Sequence, residues 1–176
     1  MNKLLPKALT TPLAMAIATA LPLFSLHASA EQSTSGFDKN RLHLGAGVSY
    51  NHIDFPFGGG SADAAGINLF AGYELKNNMA DVVTTVELGY ATTDDFYGNG
   101  TDISGLWVAG TIAKDLPEIN PNLFAIGRLG LDGGDDDGLI IGAGAGLHLN
   151  KYLDLRGEYI KKDASSVLQA SLVYNF

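Results

Sequence analysis

The sequence predicts an all-β chain: eight antiparallel strands in up-and-down order, closed into a transmembrane β-barrel. Three observations carry that expectation. From Arg41 onward, segments of about ten residues alternate apolar with polar or small side chains, the period-two signature of strands whose two faces meet different surroundings. Beyond Ala30, no window holds the roughly eighteen consecutive apolar residues that a spanning helix needs. The last residues place Leu168, Ala170, Leu172, Tyr174 and Phe176 on one face, where a chain end in water would fray.

The chain opens with the basic segment Met1 to Lys7, an apolar run from Leu9 to about Leu26, and the small residues Ala28-Ser29-Ala30. That order reads as a secretory signal peptide, residues 1–30, cut after Ala30 with Ala28 and Ala30 as the recognised small positions. Pro12 and Pro22 interrupt the run and argue against a retained helix. Residues 31–40 are polar and read as a flexible periplasmic leader, and the barrel is assigned to 41–176.

The first strand, Leu42 to Tyr50, sets Leu42, Leu44, Ala46, Val48 and Tyr50 against His43, Gly45, Gly47 and Ser49. A loop is expected over 52–64. In the second strand Ile67, Leu69, Ala71, Tyr73 and Leu75 oppose Gly66, Asn68, Phe70, Gly72 and Glu74. Lys76-Asn77-Asn78 suits a tight turn, because Asn tolerates left-handed backbone. The third strand turns Val82, Thr84, Val86, Leu88 and Tyr90 outward and Thr85, Glu87 and Gly89 inward, before a loop over 92–102. The fourth points Ser104, Leu106, Val108 and Ile112 outward and Trp107, Ala109 and Thr111 inward.

A turn over 114–122 holds Pro117 and Pro121, residues that central strands exclude. The fifth strand has Leu123, Ala125, Gly127, Leu129 and Leu131 on one side and Arg128 on the other; 132–138 is a loop. The sixth is the most regular, with Leu139, Ile141, Ala143, Ala145, Leu147 and Leu149 facing away from Gly142, Gly144, Gly146 and His148. The seventh opposes Leu153, Leu155, Gly157 and Tyr159 to Asp154, Arg156 and Glu158, and the eighth closes the chain.

In an up-and-down barrel, Tyr50, Tyr90 and Tyr159 fall at one end and Tyr73, Tyr174 and Phe176 at the other, as two interfacial aromatic girdles would. Long connections follow odd strands and two tight turns follow even ones; the 114–122 connection is long for its side. With the C-terminus in the periplasm, the long loops face the exterior.

The inward polar set, Glu74, Glu87, Arg128, Asp154, Arg156 and Glu158 with His43 and His148, is expected to form an ion network filling the lumen. An eight-stranded barrel is just wide enough for side chains to fill, and charges there must pair or stay wet. The sharper alternative is a gate in which pairs such as Glu87 and Arg128 exchange partners. Acidic loops at Asp94, Asp95, Asp102, Asp132 and Asp135 to Asp137 could hold a divalent cation, but Asp-rich runs with glycine are more often solvated turns, and no metal or cofactor is assigned. No serine stands visibly within reach of a histidine, so no catalytic residue and no enzyme activity are assigned. Phe55, Phe57, Phe96 and Tyr97 are loop aromatics suited either to partner contact or to lying on the barrel's own rim.

Removing Lys3 and Lys7 with the signal peptide takes the formal net charge from −8 to −10, which excludes nucleic acid as a partner. With no cysteine there is neither a disulfide scaffold nor an anchor through an N-terminal cysteine.

On its signal peptide, its strand count, inward Arg128 and Arg156-x-Glu158, and terminal Tyr174-Asn175-Phe176, the region 41–176 resembles the small eight-stranded bacterial outer-membrane barrels, of the type seen in the transmembrane domain of outer membrane protein A. The resemblance implies the outer membrane of a Gram-negative bacterium, reached through the periplasm, with Leu172, Tyr174 and Phe176 as the signal read by the barrel-insertion machinery. It implies contact with outer-membrane lipid and lipopolysaccharide, a monomeric state, and no cell-wall tether, since the given sequence stops at the last strand. The expected role is structural or surface-interacting in the cell envelope. The alternatives are a narrow pore for small solutes or ions, and a soluble lipocalin-like periplasmic binding barrel.

Overall fold

The computed structural model describes residues 38–54, 60–96 and 102–176. A 3-10 turn (Lys39–Arg41) leads into eight strands: β1 (Leu42–Asp54), β2 (Ser61–Leu75), β3 (Val82–Thr93), β4 (Ser104–Asp115), β5 (Leu123–Asp132), β6 (Gly138–Asn150), β7 (Leu153–Lys161) and β8 (Ser165–Asn175). Each pairs antiparallel with its sequence neighbour, and β8 returns to β1, so the sheet closes without an edge. Closure satisfies every strand's backbone polar groups, the condition for crossing hydrocarbon with sheet. The strand count, order and two-faced alternation agree with the reading from sequence. The signal-peptide assignment, and residues 31–37 of the leader, lie outside the described residues.

Three boundaries move. β1 runs on to Asp54 and β2 starts at Ser61, so most of the expected 52–64 loop is paired hairpin. Small residues with period two explain the extension: Ala62 and Ala64 turn inward and are buried against Phe96. At the other end, β4 continues to Asp115, and 116–122 is a compact turn in which Leu116 N–H donates to the Leu123 carbonyl at 2.9 Å. The expected 92–102 loop becomes 94–103, with Thr93 N–H bonded to the Ile103 carbonyl.

Outside, the wall is apolar. Val48 and Leu106 are each 61% exposed, Leu129 60% and Leu168 59%. Water would not tolerate a continuous belt of that kind on a soluble protein, whereas hydrocarbon does. Tyr50 and Tyr159 flank Leu168 in the register, and with Tyr90 they point outward toward one end. At the opposite end, which carries both Asp38 and Phe176, Tyr174 stacks on Tyr152 (6.1 Å) and meets Phe176 edge-on (5.1 Å), while the Arg41 guanidinium lies 5.1 Å from the Tyr73 ring. We call this the turn end and the other the loop end.

Inside, large side chains are seated on glycines. A Cβ on Gly45 would stand 2.1 Å from the Phe70 ring, on Gly146 2.1 Å from Phe124, and on Gly89 2.4 Å from Trp107. The strands thus alternate slot and plug, which is how a narrow tube reaches protein-like packing. Gly89→Val is accordingly expected to cost about 1–3 kcal/mol by overpacking. The urea midpoint of the folded, heat-modifiable gel band measures this, and an unchanged midpoint would mean slack around Trp107.

Candidate functional site: the filled lumen

The centre of the lumen is a layer of two acids and two arginines from β3, β5 and β7. Period two sends Glu87, Arg128, Arg156 and Glu158 inward, and the register sets a glycine beside each on a neighbouring strand: Gly72, Gly142, Gly146 and Gly144. The missing side chains leave room for the long charged ones to cross the bore.

Arg128 grips Glu158 with two parallel bonds, Nε to Oε2 at 2.9 Å and Nη2 to Oε1 at 3.0 Å, the fork geometry that favours arginine. Its Nη2 also lies 2.9 Å from Glu87 Oε2. Glu87 Oε1 accepts from Arg156 Nη1 at 2.7 Å and faces His43 Nε2 at 3.1 Å. Glu87 is fully buried, with Glu158 at 1% exposure. Four charges that sum to zero and share hydrogen bonds are the arrangement in which buried ions become tolerable.

Polar and aromatic neighbours finish the layer. Gln169 Nε2 donates to Glu158 Oε1 at 3.1 Å, and Gln169 Oε1 accepts from Asn68 Nδ2 at 2.8 Å. Arg128 lies 4.9 Å above the Trp107 ring and Arg156 6.0 Å from Phe70. Thr85 and Thr111 hydroxyls bond to each other across β3 and β4.

The expected ion set divides. Glu87, Arg128, Arg156, Glu158 and His43 meet in the central layer. His148 and Asp154 belong to a second cluster at the turn end, where His148 Nδ1 is 2.7 Å from Asp154, its Nε2 is 3.2 Å from Asp115, and Asn175 donates to Asp154 at 2.9 Å. Phe124 lies under that imidazole, with ring centres 4.8 Å apart. A register shift between His148 and Asn150 re-aims the strand there. Glu74 sits near the same end, half-exposed, and forms no ion pair among the described residues.

Asn68, Gln169 and Asp115 were not expected in the site. The closing strand does place Gln169 beside Glu158 once the register is known, but the register is not written in the strand itself.

β1 and β2 have 13 and 15 residues, more than the roughly 9–11 that a bilayer crossing takes, so their loop ends stand clear of it. There His52, two residues beyond Tyr50, lies between Asp63 (2.6 Å) and Asp54 (3.2 Å). The hydrogen bond to Asp63 raises the imidazole pKa above its usual value, and the same bond lowers that of the Asp63 carboxyl. His43, His52 and His148 each face carboxylates.

The acidic run is only in part the solvated turn expected of it: Asp135 and Asp137 are exposed, while Asp132 and Asp136 are buried. Asp132 accepts from Lys162 Nζ at 2.6 Å, Asp135 from Ser104 N–H at 2.9 Å, and Asp136 from Ala164 N–H at 3.0 Å and the Ser165 hydroxyl. No cluster of three or more His, Asp or Glu suited to a metal occurs among the described residues. Phe96 is buried against Ala62 and Ala64, so of its two readings it takes the one that lies on the barrel's own rim and not that of an exposed contact. Phe55, Phe57 and Tyr97 lie outside the described residues.

Comparison with known proteins gives a consistent picture. Residues 16–176 match the family described as outer membrane protein beta-barrel domain. Among solved structures, the fold is similar to a transmembrane β-barrel designed de novo (TM-score 0.54, 17% identity, covering 78% of this chain and 97% of that one). It is similar to Neisserial surface protein A (TM-score 0.54, 18% identity, 77% and 97%). It is also similar to Ail, the attachment invasion locus protein of Yersinia pestis (TM-score 0.51, 19% identity, 77% and 97%). No curated protein matches the sequence.

Proposed function

The chain belongs to the outer membrane protein β-barrel family, and from that premise we propose that it is a closed structural and surface-presenting barrel of the cell envelope rather than a conduit. The observation that carries this reading is the filled lumen. The Glu87–Arg128–Glu158–Arg156 layer spans the bore, and the cavities beside it measure only about 20 and 40 Å³. A hydrated ion needs a continuous wet path, and a lipocalin-like ligand needs several hundred Å³.

In this reading the turn end lies in the periplasm of a Gram-negative cell, and the loop end meets the exterior and lipopolysaccharide. The monomer performs no chemistry, and Leu172, Tyr174 and Phe176 serve the insertion machinery. The apolar belt speaks against the soluble-barrel alternative, because every strand turns large apolar residues outward.

Planar-bilayer recordings on refolded protein test the proposal. Native protein is expected to give no discrete openings at physiological salt. Resolved single-channel events from native protein would overturn it and favour the narrow pore. Arg128→Ala, which unpairs Glu158, is the comparison that shows whether the layer is the seal.

A further inference from the structure

Between the charged layer and the loop end the lumen is built differently. Two cavities of about 20 and 40 Å³ share Ser49, Asn51, Ala91 and Lys162 among their walls, and the larger reaches down to Arg128. A water molecule needs roughly 10–15 Å³, so the pair has room for a short file of them. One wall atom calls for a ligand. Asn68 is 4% exposed and its Nδ2 is spent on Gln169, while its Oδ1 has no hydrogen-bond partner in the structure. A buried acceptor left without a donor is costly, and water is the donor that fits such a space.

The turn 133–137 meets Ser104, Gly105 and Ser165 in the wall of the smaller cavity. Two of its carboxylates, Asp135 and Asp136, and the neighbouring Asp132 reach separate parts of the rim, while Asp137 is exposed. Asp132 holds Lys162 beyond β7 and also accepts from Gly134 N–H at 2.9 Å. Asp135 holds Ser104 at the start of β4 through its N–H (2.9 Å) and hydroxyl (3.3 Å). Asp136, 4% exposed, holds Ala164 and Ser165 at the start of β8. The turn's backbone presses on β4 so closely that a Cβ on Gly105 would stand 2.4 Å from the Gly134 Cα.

We propose that turn 133–137 is a lid, pinned by carboxylates to opposite parts of the rim, over a water-holding vestibule that ends blind at Arg128. Lifting it admits small polar solutes to the loop-end half of the lumen and no further. The inference rests on the sealed-barrel reading for its floor and adds a second, separable closure above it.

The chain has no cysteine, so a single introduced thiol reports without background. Val167→Cys stands in the vestibule wall (5% exposed), and Val173→Cys stands on the same strand beyond the charged layer (0%). Each is placed in the full chain, refolded in micelles, with and without the pin-breaking pair Asp135→Ala and Asp136→Ala. The probe is a trimethylammonium-ethyl methanethiosulfonate, a bulky cation whose rate at each thiol reports how readily that part of the lumen admits it. Heat-modifiable gel mobility verifies the fold of every variant.

With pins intact, both thiols are expected to react slowly. With pins broken, Val167→Cys is expected to react at least about tenfold faster, since one such factor corresponds to a single lost closing interaction of the usual size, and Val173→Cys is expected to stay slow. A Val167→Cys rate that ignores the pins, or is already fast with them intact, overturns the lid. Acceleration of both thiols together means the barrel loosens throughout, which overturns the lid and the sealed floor with it.

Discussion

Replacing Glu87 with alanine is expected to lower the unfolding free energy of the barrel by about 3–5 kcal/mol, the largest loss of any single substitution considered. Glu87 is the shared acceptor of the central layer: Arg128 and Arg156 both lie within 2.9 Å of its carboxylate oxygens. Its removal leaves two guanidinium groups facing one remaining acid, Glu158, in a space closed to bulk water. The double substitution Glu87→Ala with Arg156→Ala removes one charge of each sign and leaves Arg128 on Glu158. It should therefore cost less than the two single losses added together, with a coupling of about 0.5–3 kcal/mol. Urea unfolding from lipid vesicles, followed by the shift between folded and unfolded gel bands, measures all three variants. A loss below about 1 kcal/mol for Glu87→Ala, or strict additivity in the cycle, would show that the layer is wet and its charges independent.

The second large effect lies on the outer wall. Ala143 stands in the middle of β6, facing out among Ile141, Ala145 and Tyr159. Ala143→Arg is expected to cost about 2–4 kcal/mol, the range for a basic side chain at the bilayer midplane. Asp63→Arg faces out as well, but on the part of β2 that stands clear of the bilayer, and should cost about 0–1 kcal/mol. The pair separates hydrocarbon from water as the outer solvent. Equal, small losses at both positions in vesicles would be incompatible with a bilayer around β6.

Much of the architecture is legible in the sequence because one physical rule, alternation of side chains between two solvents, acts on every strand independently. Leu139 to Leu149 against Gly142, Gly144, Gly146 and His148 needs no knowledge of any other segment. Boundaries are harder where the rule lapses. Above the bilayer the outer faces of β1 and β2 meet water and the inner ones offer only short apolar contacts such as Ala62, so His52-Ile53-Asp54 and Ser61-Ala62-Asp63 carry little contrast and read as loop, although they are paired.

The lumen is legible by residue type but not by partner. Arg128 and Glu158 are visibly inward, yet their bidentate pairing depends on strand stagger, which no single strand encodes. The same stagger takes His148 and Asp154 away to the turn end and brings Gln169 and Asn68 in. Asp132 to Asp137 misled for a related reason. A run of aspartates with glycine is a solvated turn when considered alone, and becomes a half-buried brace only when Ser104, Lys162 and Ser165 arrive from three other places in the chain.

The spacing of the central charges along the polypeptide constrains how the molecule is made. Glu87 and Arg156 are 69 residues apart, and Arg128 is 30 residues from Glu158. A nascent sheet containing only the first six strands has Arg128 and Glu87 but neither of the partners supplied by β7. Until then Arg128 has Glu87 as its acid but lacks the bidentate grip of Glu158, so drying the layer early would bury an ion pair short of its hydrogen bonds. Expulsion of solvent from the layer is therefore expected late, once β7 has joined the sheet.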